Sequence, residues 1–177
     1  MESKVKRRAF YSFHYANDAW RTGQVRNIGT VDGSKPASDN DWEKLRKTGD
    51  AAVKKWINEQ IANRSVVIVL IGEETASRPW VKYEIRQAWE QGKGLVGIYV
   101  HGLKDQNRMI SNRGSNPFSE FTITVNGKKR NFADFVPVYN PQGTSSTDRY
   151  NHIAENLADW VENGISAMQD LHEEVGS

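Results

Sequence analysis

Six consecutive apolar residues, Val66-Val-Ile-Val-Leu-Ile71, constrain this chain more than any other feature. The run shows no alternation of apolar and polar residues. A strand of this kind is buried on both faces, which is the property of a parallel sheet covered by helices. Leu95-Val-Gly-Ile-Tyr-Val100 is a second such run. Between them lies Pro79-Trp-Val-Lys-Tyr-Glu-Ile-Arg-Gln-Ala-Trp-Glu-Gln91, which places Val81, Ile85, Ala88 and Trp89 on one helical stripe. Pro79 suits the first helical position, where a missing N–H costs nothing, and Ser77 would be the N-cap if the helix began sooner. Gly92-Lys-Gly94 ends the helix. Glu84 falls on the flank of the stripe, between Ala88 and Trp80. A carboxylate is thereby expected at the edge of a buried face, near the start of the helix that leaves a central strand. In open α/β sheets ligands bind at the carboxyl ends of the strands, so Glu84 is the leading candidate for a catalytic residue.

The rest of the chain extends this pattern. Arg8-Ala-Phe-Tyr-Ser-Phe-His-Tyr15 is rich in aromatic residues and reads as the first strand. Asn17 or Asp18 would cap a helix reaching about Asn27, with Trp20 and Val25 on its apolar face. Thr30-Val31 is a candidate short strand, and 32–38 is a loop by composition. Asn40 with Glu43 resembles a capping box. Gly49 interrupts the helix that follows, whose continuation from Asp50 to about Asn63 puts Val53, Trp56, Ile57 and Ile61 on one face. Residues 101–120 form a long polar loop, and such loops are usually functional or mobile. Phe121–Val125, Asn126-Gly127 and Lys128–Phe132 read as a β-hairpin with a type I′ turn. Phe135–Tyr139 is an edge strand in which Pro137 is tolerated. Tyr150, Ile153, Leu157, Trp160, Val161, Ile165 and Met168 mark an amphipathic terminal helix over 147–171. Alternating strands and helices give an α/β fold with a flavodoxin-like parallel sheet of about five strands, helices on both faces and a hairpin insertion within 101–134. At 177 residues the chain is expected to form a single domain, with 1–7 flexible.

Composition excludes several function classes. With no cysteine there is no disulfide framework and no thiolate chemistry. His101, His152 and His172 lack metal-ligand spacing, so no metal is expected. Ser12 has no nucleophile elbow, and Gly72-Glu-Glu-Thr75 is neither a phosphate-binding loop nor a dinucleotide fingerprint. No signal peptide and no membrane-spanning run is apparent, so a cytoplasmic location is expected. The net charge of +2 conceals an asymmetry: seven acids and one base from Asp148 onward give −6, leaving +8 on residues 1–147. A basic body could attract an anion such as a nucleotide, whereas no nucleic-acid-binding signature is present.

Two segments together resemble a Toll/interleukin-1 receptor (TIR) domain. Phe10-Tyr-Ser-Phe-His14, with Asp18 shortly after, is similar to the opening strand and acidic residue of that family. Ser77…Trp80-Val-Lys-Tyr-Glu84 is similar to its "S…W-x-x-x-E" helix start. A closer resemblance is to the TIR-like proteins of the bacterial Thoeris anti-phage system. It is carried by Ser12–Tyr15, Asp41-Trp-Glu43 with Gly49-Asp50 and Trp56-Ile57, Val69–Gly72, Trp80–Ile85 and Asn116-Pro-Phe118, and it covers roughly residues 8–118. The loop at 32–40 departs from the receptor-type pattern, which argues against receptor-style homotypic pairing.

The resemblance implies an enzyme that cleaves the nicotinamide–ribose bond of NAD, with Glu84 catalytic. NAD would be a substrate rather than a cofactor. Nicotinamide is cationic while bonded and leaves neutral, so one carboxylate can suffice where other glycosidases use two. Ser12, Phe13, His14, Asp18, Trp42 and Trp80 are the candidate substrate-binding residues. The implied product is a cyclic ADP-ribose isomer, read by a separate effector protein, and a homo-oligomer is compatible with the sequence. Plainer readings stand beside these: Glu84 as a solvated helix glutamate, Phe13, Trp42 and Trp80 as core residues, His14 as a buried hydrogen-bonding group. A non-catalytic interaction module of the same fold and a deoxyribosyltransferase are the rival functions.

Overall fold

The computed structural model describes residues 6–33 and 45–176. Residues 1–5 and the capping-box segment with Trp42 lie outside the described residues. In chain order the elements are β1 (Arg8–Ser12), α1 (Tyr15–Arg26), β2 (Asp32–Gly33), α2 (Asp50–Ala62), β3 (Val66–Ile71), α3 (Pro79–Glu90), β4 (Gly94–Tyr99), β5 (Thr122–Val125), β6 (Lys128–Asn131), β7 (Val138–Tyr139) and α4 (Ser146–Gly176). Five strands form one sheet in the order β2-β1-β3-β4-β7, and every pairing in it is parallel. This is the expected flavodoxin-like α/β arrangement. All six residues of β3 are completely buried.

The two-residue period of a strand divides β3 between two cores. Val67, Val69 and Ile71 point to one face, where Phe10 of β1 meets Val53, Ile57 and Ile61 of α2 and Val81, Ile85 and Ala88 of α3. Val66, Ile68 and Leu70 point to the other, where Val25 of α1 meets Ile153, Leu157, Trp160 and Val161 of α4. Each such side chain contributes about 1.5–3 kcal/mol when taken from water. Helix α4 outlasts its expected end and carries Met168 and Leu171 to the first core, beside the hairpin. There His172 stacks on Trp89 at 3.7 Å, and Trp89 meets Phe132 edge-on.

The hairpin forms its own antiparallel pair, β5–β6, closed by Asn126 and Gly127 at φ 52° and 78°. Positive φ at both central residues is what a type I′ turn requires. The edge strand shrinks to Val138–Tyr139, and Pro137 contributes only its carbonyl oxygen, which accepts from the Gly97 N–H.

Three expectations need correction. Strand β1 stops at Ser12, and α1 begins at Tyr15, because the Asp18 N–H already donates to the His14 carbonyl. Asp18 is thus an internal helical residue and not the cap. Trp20 is 59% exposed, so Val25 alone represents that pair in the core. The second strand is Asp32–Gly33 in register with Arg8 and Ala9, one step beyond Thr30-Val31. The long loop is held to the body of the fold: Arg21 donates to the Leu103 and Met109 carbonyls, and Phe118 is fully buried.

Helix α4 approaches β4 through Gly164. A Cβ there would stand 2.5 Å from the Leu95 carbonyl oxygen and 2.9 Å from Val96 Cβ. Alanine is the better helix former by about 1 kcal/mol, yet Gly164→Ala is expected to destabilise the protein, by about 1–3 kcal/mol, because backbone must move. Urea unfolding checks this; an unchanged or raised midpoint would refute the close approach.

Candidate active site

The carboxyl ends of β1 and β3 and the start of α3 converge on Glu84. Ser12 is the last residue of β1 and faces the first core, as Phe10 does two residues earlier. Pro79 opens α3, with Arg78 as N-cap in extended conformation, while the Ser77 hydroxyl turns back to the Glu74 carbonyl. One and a half turns later Glu84 projects inward beside Val81 and Ile85. Its side chain is buried, at 8% residue exposure. The Ser12 hydroxyl donates to Glu84 Oε1 at 2.7 Å, which joins two residues 72 positions apart.

Burial pushes the Glu84 carboxyl up to about 8, and the Ser12 hydrogen bond opposes that rise. Desolvation penalises the charged form, and among the described residues no cation lies close enough to offset it. Burial thus favours the neutral, protonated form of this group. A strongly shifted carboxyl at the mouth of an α/β sheet is a candidate for chemistry on physical grounds alone.

Around this pair the other candidate residues divide. His14, 9% exposed, caps α1; its Nδ1 has no hydrogen bond and stands 3.9 Å from Glu74 Oε2. Burial first, then the charge of Arg78, lowers its pKa. Trp80 is half-buried and meets Tyr83 edge-on against the first core. Phe13 packs on the opposite core, near Tyr15, away from the side that Ser12 and Glu84 share. Asp18 is fully buried, with Oδ1 accepting from Arg21 at 2.7 Å. Burial raises its pKa and Arg21 opposes the rise. Its other oxygen lies against Gly72, where any Cβ would collide with it. That oxygen is buried without a hydrogen-bond partner. Trp42 lies outside the described residues.

Arg78 was not singled out in the sequence. Its Nε is buried without a hydrogen bond, and its charge is felt at His14. The available signal was its place directly before Pro79, at the start of a helix that leaves a central strand. Gly114 also escaped notice: the loop of 111–116 crosses so near the end of β3 that a Cβ at Gly114 would collide with the Gly72 carbonyl. Among the described residues no three potential ligands form a metal-binding group.

The raised Glu84 pKa carries a stability consequence whose sign is fixed. Between about 4.5 and 8 the unfolded chain loses this proton while the folded protein keeps it. The folded state then binds more protons, so rising pH erodes stability. Glu84→Gln lacks the effect. Its unfolding free energy should gain on wild type between pH 5 and pH 8, by on the order of 3 kcal/mol. Denaturant unfolding of both proteins across that range tests it, and a constant difference would contradict the burial of Glu84.

Comparison with known proteins places the chain in a family. Residues 10–105, which include Ser12, His14, Arg78 and Glu84, match the family described as "Thoeris protein ThsB, TIR-like domain". A curated Bacillus cereus (strain MSX-D12) protein named "Putative cyclic ADP-D-ribose synthase ThsB1" is 38% identical over 119 residues. The match covers 64% of this chain and 62% of that protein, so the chain spans somewhat under two thirds of the relative's length. With more than half of its residues matched by the family, this chain belongs to the Thoeris ThsB TIR-like family.

Proposed function

We propose that this protein consumes NAD, breaking the nicotinamide–ribose bond with Glu84 as the essential carboxylate, and forms a cyclic ADP-ribose-type nucleotide. A separate effector would read that signal in anti-phage defence. The observation that carries the reading is the buried Glu84 carboxyl at the carboxyl edge of the sheet, hydrogen-bonded by Ser12. The name of the Bacillus cereus relative supports the type of product.

The chemistry asks little more of the protein. In NAD the ring nitrogen carries a positive charge, and the C1′–N bond breaks with both electrons returning to it. Nicotinamide leaves neutral and needs no general acid. Positive charge passes to the ribose C1′ and its ring oxygen. A carboxylate in a water-poor site stabilises that charge more strongly than water would. Capture of C1′ by an adenine ring nitrogen or a ribose hydroxyl of the same molecule closes the ring, and capture by a hydroxyl releases its proton. Glu84 must ionise to act, and an incoming pyridinium cation favours that ionisation. His14 and Arg78, each with a buried nitrogen lacking a partner, would meet the phosphates; Trp80 offers an aromatic surface.

Glu84→Gln should fold and lose NAD turnover by about 10²–10³-fold or more, measured by nucleotide mass spectrometry of expressing cells with and without phage. Retained turnover would sink the assignment. The free-enzyme profile of kcat/KM should rise with pH toward about 8 as Glu84 loses its proton. Ser12→Ala, by removing the bond that holds the pKa down, should move that inflection to higher pH.

A further inference from the structure

A concave site lies on the other face of the sheet from Glu84. It is an open depression of about 850 Å³ between α1, the loop of 104–110 and the start of α4. That volume is in the range of small-ligand pockets. Trp20 forms one wall at 59% exposure, with Met109 at 61% and Ile110 at 53% across from it. Lys104, Arg108 and Arg149 supply positive charge on the rim. Among the described residues neither the Lys104 ammonium nor the Arg108 guanidinium has an acidic partner, and Arg149 donates to the Gly102 carbonyl at 3.1 Å.

The one carboxylate in the lining is already committed. Asp105 Oδ1 accepts from the Asn107 and Met109 N–H groups, and Oδ2 lies 3.9 Å from Arg21. At the first turn of α4 Ser145 Oγ accepts from the Asp148 N–H, and Asp148 Oδ2 accepts from Thr144. The positive charge on the rim is that of the Lys104, Arg108 and Arg149 side chains. The walls are tied together as well. Gln24 donates to the Lys104 carbonyl at 2.7 Å, the Lys104 N–H donates to Ser146 Oγ, and Arg21 holds Met109 from below. Arg108 is fixed in the left-handed region at φ 60° by a loop that Asp105 closes at both ends. A pre-formed cup of this kind loses little conformational entropy when a ligand enters.

We infer that this depression is a binding site for a phosphorylated nucleoside, its ring system against the Trp20 indole and its phosphates between Lys104, Arg108 and Arg149. An indole flanked by unpaired cations recognises both halves of such a ligand: the flat ring by stacking, the phosphate oxygens by charge-assisted hydrogen bonds. A purely apolar partner would bury the cations without compensation. An inorganic anion would leave Trp20 idle. The site stands apart from Glu84 and does not depend on the reaction proposed there.

The test is isothermal titration calorimetry of the full chain with ADP, adenosine and tripolyphosphate at about 50 mM and 200 mM salt. The proteins are wild type, Trp20→Ala, the double variant Lys104→Glu/Arg108→Glu, and Glu84→Gln. These surface positions are exposed, so the variants should fold, and circular dichroism verifies it. ADP should bind wild type and Glu84→Gln alike, at least tenfold more weakly to the double variant, and more weakly at the higher salt. Trp20→Ala should weaken ADP severalfold while sparing tripolyphosphate. Three results would overturn the inference: no ADP binding at millimolar concentration, affinity indifferent to both surface changes, or tripolyphosphate matching ADP on wild type. Binding lost only in Glu84→Gln would place the nucleotide at the other site and equally refute it.

Discussion

Burial of β3 on both faces is the constraint from which the rest follows. Six apolar residues in extended conformation present three side chains to each side. Neither face can be left to water, so helices must cover both, and the chain can return to the sheet only through crossovers. Parallel strands then all end on one edge. The residues that leave those ends, Ser12 to His14 after β1 and Gly72 to Arg78 after β3, are gathered there by topology and not by any affinity of their own. Glu84 reaches the edge because α3 must turn its Val81–Ile85–Ala88 stripe onto β3, and the carboxyl rides on the shoulder of that stripe.

The polar groups at this edge differ in how they are satisfied. Asp18 and Arg21 form a buried ion pair in which Arg21 serves Asp18, Leu103 and Met109 together, while Asp18 Oδ2 is left without a hydrogen-bond partner. Breaking one partner of such a pair is costly, whereas the pair itself adds little net stability. Its value is positional, since it fixes α1, the end of β3 and the long loop against each other. Among the described residues Glu84 has one hydrogen bond and no nearby cation, and His14 and Arg78 each keep a nitrogen without a partner. Orphaned polar atoms at this edge, Asp18 Oδ2 among them, suit a place that a polar ligand completes.

Sheet order, hairpin turn type and most core faces were legible because they depend on periods and on turn chemistry, which short windows of sequence record. Val81, Ile85 and Ala88 are buried where the stripe put them, and Asn126-Gly127 adopts the turn its side chains favour. Element ends were less legible. The aromatic string to Tyr15 looks uniformly strand-like, yet the helix starts at Tyr15, because hydrogen bonding to the His14 carbonyl is decided in three dimensions. Glu84 could be placed at a flank, but its depth depends on Ser12, 72 residues away, and on how closely β1 and α3 approach. Asp18 carries no mark in sequence that shows one oxygen paired with Arg21 and the other left without a partner. Trp20 illustrates the reverse error: apolar character suggested the core, whereas the angular position of a residue on a short helix is set by its neighbours' packing. The five-stranded TIR-like sheet was therefore readable, and the division of labour among polar residues at its edge was not.

A neutral Glu84 gives the proposed reaction a form of selectivity that a permanently charged residue would lack. The carboxyl resists ionisation because burial removes water and supplies no counter-charge. A neutral sugar or nucleoside entering the site would not change that balance. A ligand bearing a pyridinium charge would, since an opposite charge within a few ångströms favours the ionised form. Cation and carboxylate would then stabilise each other in a poorly screened environment, and the site would become competent only when the correct leaving group is present. Once the glycosidic bond breaks, nicotinamide is neutral and that attraction passes to the ribose, where charge is developing. The attraction thereby follows the charge along the reaction coordinate, which is the differential stabilisation that catalysis needs. Ser12 adjusts the balance by helping the carboxylate form without fixing it in place, and a charged residue in its position would remove the distinction between cationic and neutral ligands.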